Sequence, residues 1–170
     1  MQPSPEELVR RYRIAMALFI AGLVLSGLTA FPLLAEMRLL TRMLGIAEGA
    51  SPTDYGTLYQ WILTVRRGLE ASYAQYPWIA YGTDWLAFAH LIVALFFIGP
   101  LIDPRSARAN LIAGIAACIG VIPLALIAGA IREVPLFSRL IDCSFGVVGL
   151  ALLLYCLRLQ RNIAAEQMSA

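Results

Sequence analysis

The chain is short of several things. It has 170 residues with one histidine, three cysteines and no lysine, and only 14% of its residues are charged. Each shortage excludes something. A single histidine cannot supply both axial ligands of a bis-histidine haem. With cysteines this scattered it cannot complete a usual zinc site either. Cys118, Cys143 and Cys156 are odd in number, and each lies in an apolar stretch. That argues against a disulfide framework and reads as three small buried hydrophobes. All thirteen basic residues are arginine, which we read as coding bias. A net charge of +2, with the arginines dispersed or at span ends, gives no basic groove for nucleic acid. No GxSxG or HExxH string occurs, and there is no internal repeat.

What is there is apolar length. Hydrophobic residues make up 60% of the chain, with a mean hydropathy of +0.75. A soluble domain is nearer half apolar and a quarter charged. The excess falls in four blocks, at about residues 14–35, 84–102, 110–131 and 136–157. Each is near the ~20 residues that a helix needs to cross a hydrocarbon core. Barrels give short alternating segments, so helices are the way to satisfy the backbone in lipid. The expected fold is an all-α membrane protein with a bundle of four transmembrane helices. Residues 1–170 form a single membrane domain on this reading, since no segment has soluble composition.

The first block is too long for the core of a cleaved signal peptide and lacks a suitable small-x-small site, so it reads as a retained span. Arg10, Arg11 and Arg13 precede it, Arg105 and Arg108 lie in "DPRSARAN", and Arg158 and Arg161 follow the fourth block. These seven would share one side against six on the other, a near tie that the N-terminal cluster breaks. The expectation is a bacterial inner-membrane protein with both termini cytoplasmic.

The loop 36–80 is then extracytoplasmic. Ser51-Pro52-Thr53-Asp54 reads as a helix start, with serine as cap and acid three residues on. Leu58, Ile62, Val65, Leu69 and Tyr73 follow as one helical stripe, with Gln60, Arg67 and Glu70 off it. An amphipathic helix lying on the membrane or capping the bundle fits. Trp61, Tyr73, Tyr76, Trp78 and Tyr81 would form an aromatic belt. Glu36, Glu48, Asp54 and Glu70 are candidate partners for the loop arginines. The tail 161–170 is polar and expected to fray.

Polar side chains inside the spans need partners. His90 lies six residues after Asp84, roughly 9 Å into a span that starts there. Thr83 and Ala87 share its face, Asp84 does not, and its partner should come from another span. Arg139 and Asp142 are three apart and able to pair on one face. Glu36, Tyr81, Asp84 and Arg132 fall at the same end. We read His90, Asp142, Arg139, Asp84, Tyr81, Arg132 and Glu36 as a polar network in the outer half of the bundle. Three uses compete with a purely structural one. A quinone could be held by His90, Tyr81 and Arg139, or a haem by His90 with Met16 or Met37. Asp142 and His90 could relay protons, though four spans without an inverted repeat are few for a transporter. His90 could act as a base on lipid, with Asp142 or Asp84 behind it. The favoured reading is a non-enzymatic accessory or assembly component without cofactor. Its partners would be the lipid bilayer and a membrane protein subunit or a second copy. Pro32 and Pro123 are expected to kink spans one and three, and Pro100 and Pro104 to end span two. Gly22, Ser26 and Gly27, and Gly114 with Cys118, offer close-approach faces.

The strings "GLTAFP" (27–32), "QYPWIAYGTDWLAFAH" (75–90), "IGPLIDP" (98–104) and "RLIDCSFG" (139–146) resemble a family of short bacterial four-span membrane proteins. The resemblance covers most of the chain and implies the four-span architecture. It implies no activity, cofactor or partner. It also implies something near "GPIRGIP" after span three, where this chain reads "GAIREVP" (129–135): the arginine and the last proline match, and Glu133 adds a charge.

Overall fold

A computed structural model describes residues 4–47 and 49–168, with side chains described through Ala165. Among these residues there are no strands. The helices are α1 (Pro5–Ala30), α2 (Leu33–Met43), α3 (Thr57–Gln75), α4 (Trp78–Phe96), α5 (Ile98–Ile102), α6 (Arg108–Ile131) and α7 (Leu136–Met168). Four stretches are long and apolar enough to cross a membrane: Pro5–Ala30, Trp78–Ile102, Arg108–Ile131 and Leu136–Ala165. The chain is therefore all-helical with four candidate spans, as its composition implies.

The span limits differ from the sequence reading, for identifiable reasons. Pro32 does not kink span one but ends it. It lacks an N–H and disfavours helix at Phe31, so α1 stops at Ala30 and the amphipathic α2 starts at Leu33. Span two starts at Trp78, six residues before Asp84. Its last turn is broken at Phe97, and Pro100 lies inside α5 rather than at its end. Pro100 has no N–H to offer the carbonyl four residues back. Asn110 Nδ2 donates to that Phe96 carbonyl instead, at 2.9 Å. The fourth helix does not fray at Arg161. It runs to Met168, and Ile163 is buried.

Contacts divide the chain into two units, residues 1–23 with 93–170, and residues 24–92. In the first unit α6 packs along α7 on small residues. A Cβ on Gly146 would lie 2.8 Å from the Cys118 carbonyl oxygen, and one on Gly149 would lie 2.9 Å from Cys118 Sγ. A Cβ on Gly114 would lie 2.7 Å from Leu153 and 2.8 Å from Phe97. At Gly146 backbone meets backbone, and at Gly149 and Gly114 side chains of the facing helix fill the space that a Cβ would take. Around this seam Tyr12, Met16, Leu111, Leu153 and Cys156 are fully buried, and Phe19 meets Phe97 edge-on at 4.9 Å. Cysteine thus fills small spaces, as expected. Gly22 has open space around it and is not a close-approach point.

The α6–α7 turn is a Schellman motif with an unfavoured residue at its centre. Val134 N–H reaches the Gly129 carbonyl at 2.9 Å and Glu133 N–H the Ala130 carbonyl at 3.1 Å. Glu133 sits at φ 58°, where glycine is the unstrained choice.

In the second unit Gly27 is a close-approach point. A Cβ there would lie 2.9 Å from the Ala87 carbonyl oxygen, and Ala87 is fully buried. A second Schellman motif closes α2, with Ile46 N–H on the Thr41 carbonyl and Gly45 N–H on that of Arg42, both at 3.0 Å. Gly45 holds φ 68°, and Ile46 is tucked in. The Ser51 cap exists, with its N–H on Asp54 Oδ2 at 2.7 Å, but it opens a 3-10 turn over Pro52–Asp54. The long helix begins only at Thr57.

Candidate functional site

The first unit holds Arg132, Arg139 and Asp142. Arg139 directs its Nη1 to the Leu126 carbonyl on α6 at 3.2 Å. Its stem lies over Gly129, where a Cβ would come within 2.7 Å of Arg139 Cγ. Its Nε is buried without a partner among the described residues. The expected Arg139–Asp142 pair does not form. The arginine stem is drawn into the gap that Gly129 leaves in α6, while Asp142 is exposed and its carboxylate has no hydrogen-bond partner among the described residues. Arg132 caps α6 with its backbone N–H and is exposed.

The second unit holds Glu36, Tyr81, Asp84 and His90. His90 Nδ1 lies 2.8 Å from the Leu86 carbonyl oxygen, one turn back on its own helix. Its bond thus comes from its own span and not from another. A carbonyl only accepts, so Nδ1 carries the proton and donates. In the neutral ring Nε2 is then an acceptor, with no partner among the described residues. Twelve residues separate His90 from the start of α4, roughly 18 Å along the axis, so it is deeper than a start at Asp84 implies. Thr83 donates to the Ala80 carbonyl at 2.6 Å and meets the Tyr73 hydroxyl at 3.3 Å. Tyr81 is exposed and packs edge-on against Trp85 at 6.0 Å, and Trp85 in turn meets Phe88 at 6.3 Å. Glu36 and Asp84 are half-buried, and their carboxylates have no hydrogen-bond partner among the described residues.

The strongest polar cluster of this unit was only partly legible. It joins α2 to α3. Glu70 Oε1 accepts from Arg38 Nε at 2.9 Å and from Arg66 Nε at 3.3 Å. Arg66 Nη1 donates to Thr41 Oγ1 at 2.9 Å, and Thr41 is wholly buried. The bond from Arg38, seconded by Arg66, holds the Glu70 carboxyl below the usual glutamate value against the opposing effect of burial. Glu70 therefore faces α2 although the apolar stripe leaves it outside. Leu63, off that stripe as well, is the buried residue of α3, while Leu58 on the stripe is half exposed. The face of α3 that packs is thus rotated toward Leu63, Arg66 and Glu70. Of the other acids, Asp54 is engaged by the Ser51 backbone, and Glu48 lies outside the described residues. Arg67 finds the Ala50 carbonyl.

Among the described residues no three His, Cys, Asp or Glu side chains gather as a metal site. Met16, one candidate partner for a haem, is wholly buried in the apolar core of the first unit. The chain is a helical protein with four spans of membrane-crossing length and polarity. Compared with family models, with curated proteins and with solved structures, it matches none.

Proposed function

We propose that this chain is a non-enzymatic accessory or assembly component of a bacterial inner membrane, built as a four-span bundle with both termini cytoplasmic and α3 on the outer side. The observation that carries this reading is where the span side chains send their hydrogen bonds. His90, Arg139 and Asn110 each engage a helix carbonyl, at Leu86, Leu126 and Phe96. Bonds of this kind fix the position of a helix and make each side chain part of the packing of its span. The outer surface points the same way. Only 17–28% of the most apolar stretch of each span is buried within the chain. Lipid, a second copy or another subunit must cover the rest. The resemblance to short four-span proteins agrees with this architecture. Native mass spectrometry from mild detergent tests the reading. A chain released with a second protein subunit or a second copy supports it, and a strictly monomeric chain speaks against it.

One observation favours a second reading, a quinone or haem site. The Leu86 carbonyl fixes the His90 ring and leaves Nε2 unencumbered, which is how ligating histidines are commonly oriented. An absorption spectrum of the purified protein separates the two readings.

A further inference from the structure

A groove of about 1120 Å³ runs beside the first turns of α1, walled on its other side by the link after α5. Its composition changes along its length. Arg10, Arg13 and Ala17 lie on one face of α1 at spacings of three and four, and Ile14 lies beside them. Arg10 and Ala17 are separated by roughly 10 Å along the helix axis. Along α1 the groove therefore passes from a charged stretch, Glu6 to Arg13, to an apolar one at Ile14 and Ala17. Arg105 lines it from the link after α5.

The charges there are unbalanced. Arg13 Nη2 donates to the Ile102 carbonyl at 3.2 Å, but the guanidinium groups of Arg10 and Arg105 have no acceptor among the described residues. Two carboxylates line the groove as well, Glu6 and Asp103. Asp103 Oδ1 is taken by the Arg105 backbone N–H at 3.1 Å, which fixes the turn. Three guanidinium groups against two carboxylates leave an excess of positive charge. The apolar part is equally unfinished, with Ile14 55% and Ile102 67% exposed.

We propose that this groove binds one anionic phospholipid, its phosphate held by Arg10, Arg13 and Arg105 and an acyl chain laid along Ile14, Ala17 and Ile102. Guanidinium forks match phosphate oxygens, and basic pockets beside spans hold anionic headgroups. The volume is that of a site for a sizeable organic ligand and is far more than a phosphate ion fills. The exposed apolar wall distinguishes a lipid from a free anion. The proposal is independent of any accessory role and of which way the chain faces.

The test is native mass spectrometry of the full chain in detergent, titrated with phosphatidylglycerol or phosphatidylcholine. One phosphatidylglycerol should be retained per chain, in preference to phosphatidylcholine. Arg10→Gln with Arg105→Gln should weaken its binding roughly 30-fold, at about fivefold per arginine near a bilayer surface. Arg42→Gln, a charge removed elsewhere, should leave binding unchanged. Ala17→Trp keeps every arginine and fills the apolar part, so it should also weaken binding. Equal retention of both lipids, or unchanged affinity in the double variant, overturns the proposal. Displacement by millimolar inorganic phosphate overturns it too, in favour of a free-anion site. Should the double variant fail to fold, the preference of the unaltered chain and the Ala17→Trp result decide.

Discussion

The α6–α7 seam and the α2–α3 hairpin are both helix pairs, yet they are joined by opposite means. In the seam the contact is made by absence. Gly146 lets backbone meet backbone at the Cys118 carbonyl, and Gly114 and Gly149 leave room for the side chains of Leu153 and Cys118. In the hairpin the contact is made by charge, with Glu70 between two arginines and Thr41 beneath. The first arrangement suits a medium without water, where close packing is the main attraction between helices. The second suits a boundary, where charged stems are half-solvated and an ion pair contributes modestly. The difference explains why α6 and α7 carry almost no charge along their shared length, while α2 and α3 contain four arginines and two glutamates between them.

The comparison can be broken most severely at Gly146. A leucine there must displace the Cys118 carbonyl, so Gly146→Leu should destabilise the first unit by about 3 kcal/mol. Thermal unfolding in detergent measures this. A change below about 1 kcal/mol would mean that the seam is not close-packed. Next comes the hairpin. Glu70→Gln removes the charge that both arginines share and should cost about 1–2 kcal/mol. Hydrogen exchange should rise in α2 and α3 and stay unchanged in α6 and α7. Acid should act on the same contact. The folded-state value of Glu70 is depressed. Its contribution is thus complete above the ordinary glutamate value and is lost as pH falls through the lowered one. Exchange in the hairpin should accelerate over that acidic range, and Glu70→Gln should abolish this acceleration. The smallest effect is expected at the α6–α7 turn. Glu133→Gly relieves a left-handed residue at φ 58° and should stabilise the protein by roughly 1 kcal/mol.

The parts of the fold legible in the sequence were those that follow from composition and period. Four apolar runs gave four helices of spanning length. Ser51 and Asp54 gave a cap, and Gly27, Gly114 and Cys118 gave contact points. The misplacements share a cause. The apolar run continues past Pro32, which suggests a kink, yet it continues as a different helix. The apolar stripe of α3 was read as its packed face, but the partner helix offers Arg38 and Thr41. Glu70 pairs with Arg38 across 32 residues of sequence, which no local pattern can show. The candidate site suffered in the same way. Arg139 and Asp142 have ideal helical spacing, but the gap left by Gly129 on a neighbouring helix captures the arginine. The role of Asn110 has no local signal, since only the position of Pro100 reveals which carbonyl needs it. The interchange between "GPIRGIP" and "GAIREVP" was visible as strings. Its consequence, an acid in a glycine conformation, needed the backbone.

On the proposed function, polar side chains inside these spans serve helix carbonyls and not a reaction. His90 is its most exposed point, because Nε2 is unused. An absorption spectrum of the detergent-purified chain, oxidised and reduced, with mass spectrometry of its organic extract, tests it directly. No Soret band is expected, and an extract containing phospholipid alone. A Soret band, or a quinone at one per chain, would make His90 a ligand or hydrogen-bonding acceptor and contradict the claim.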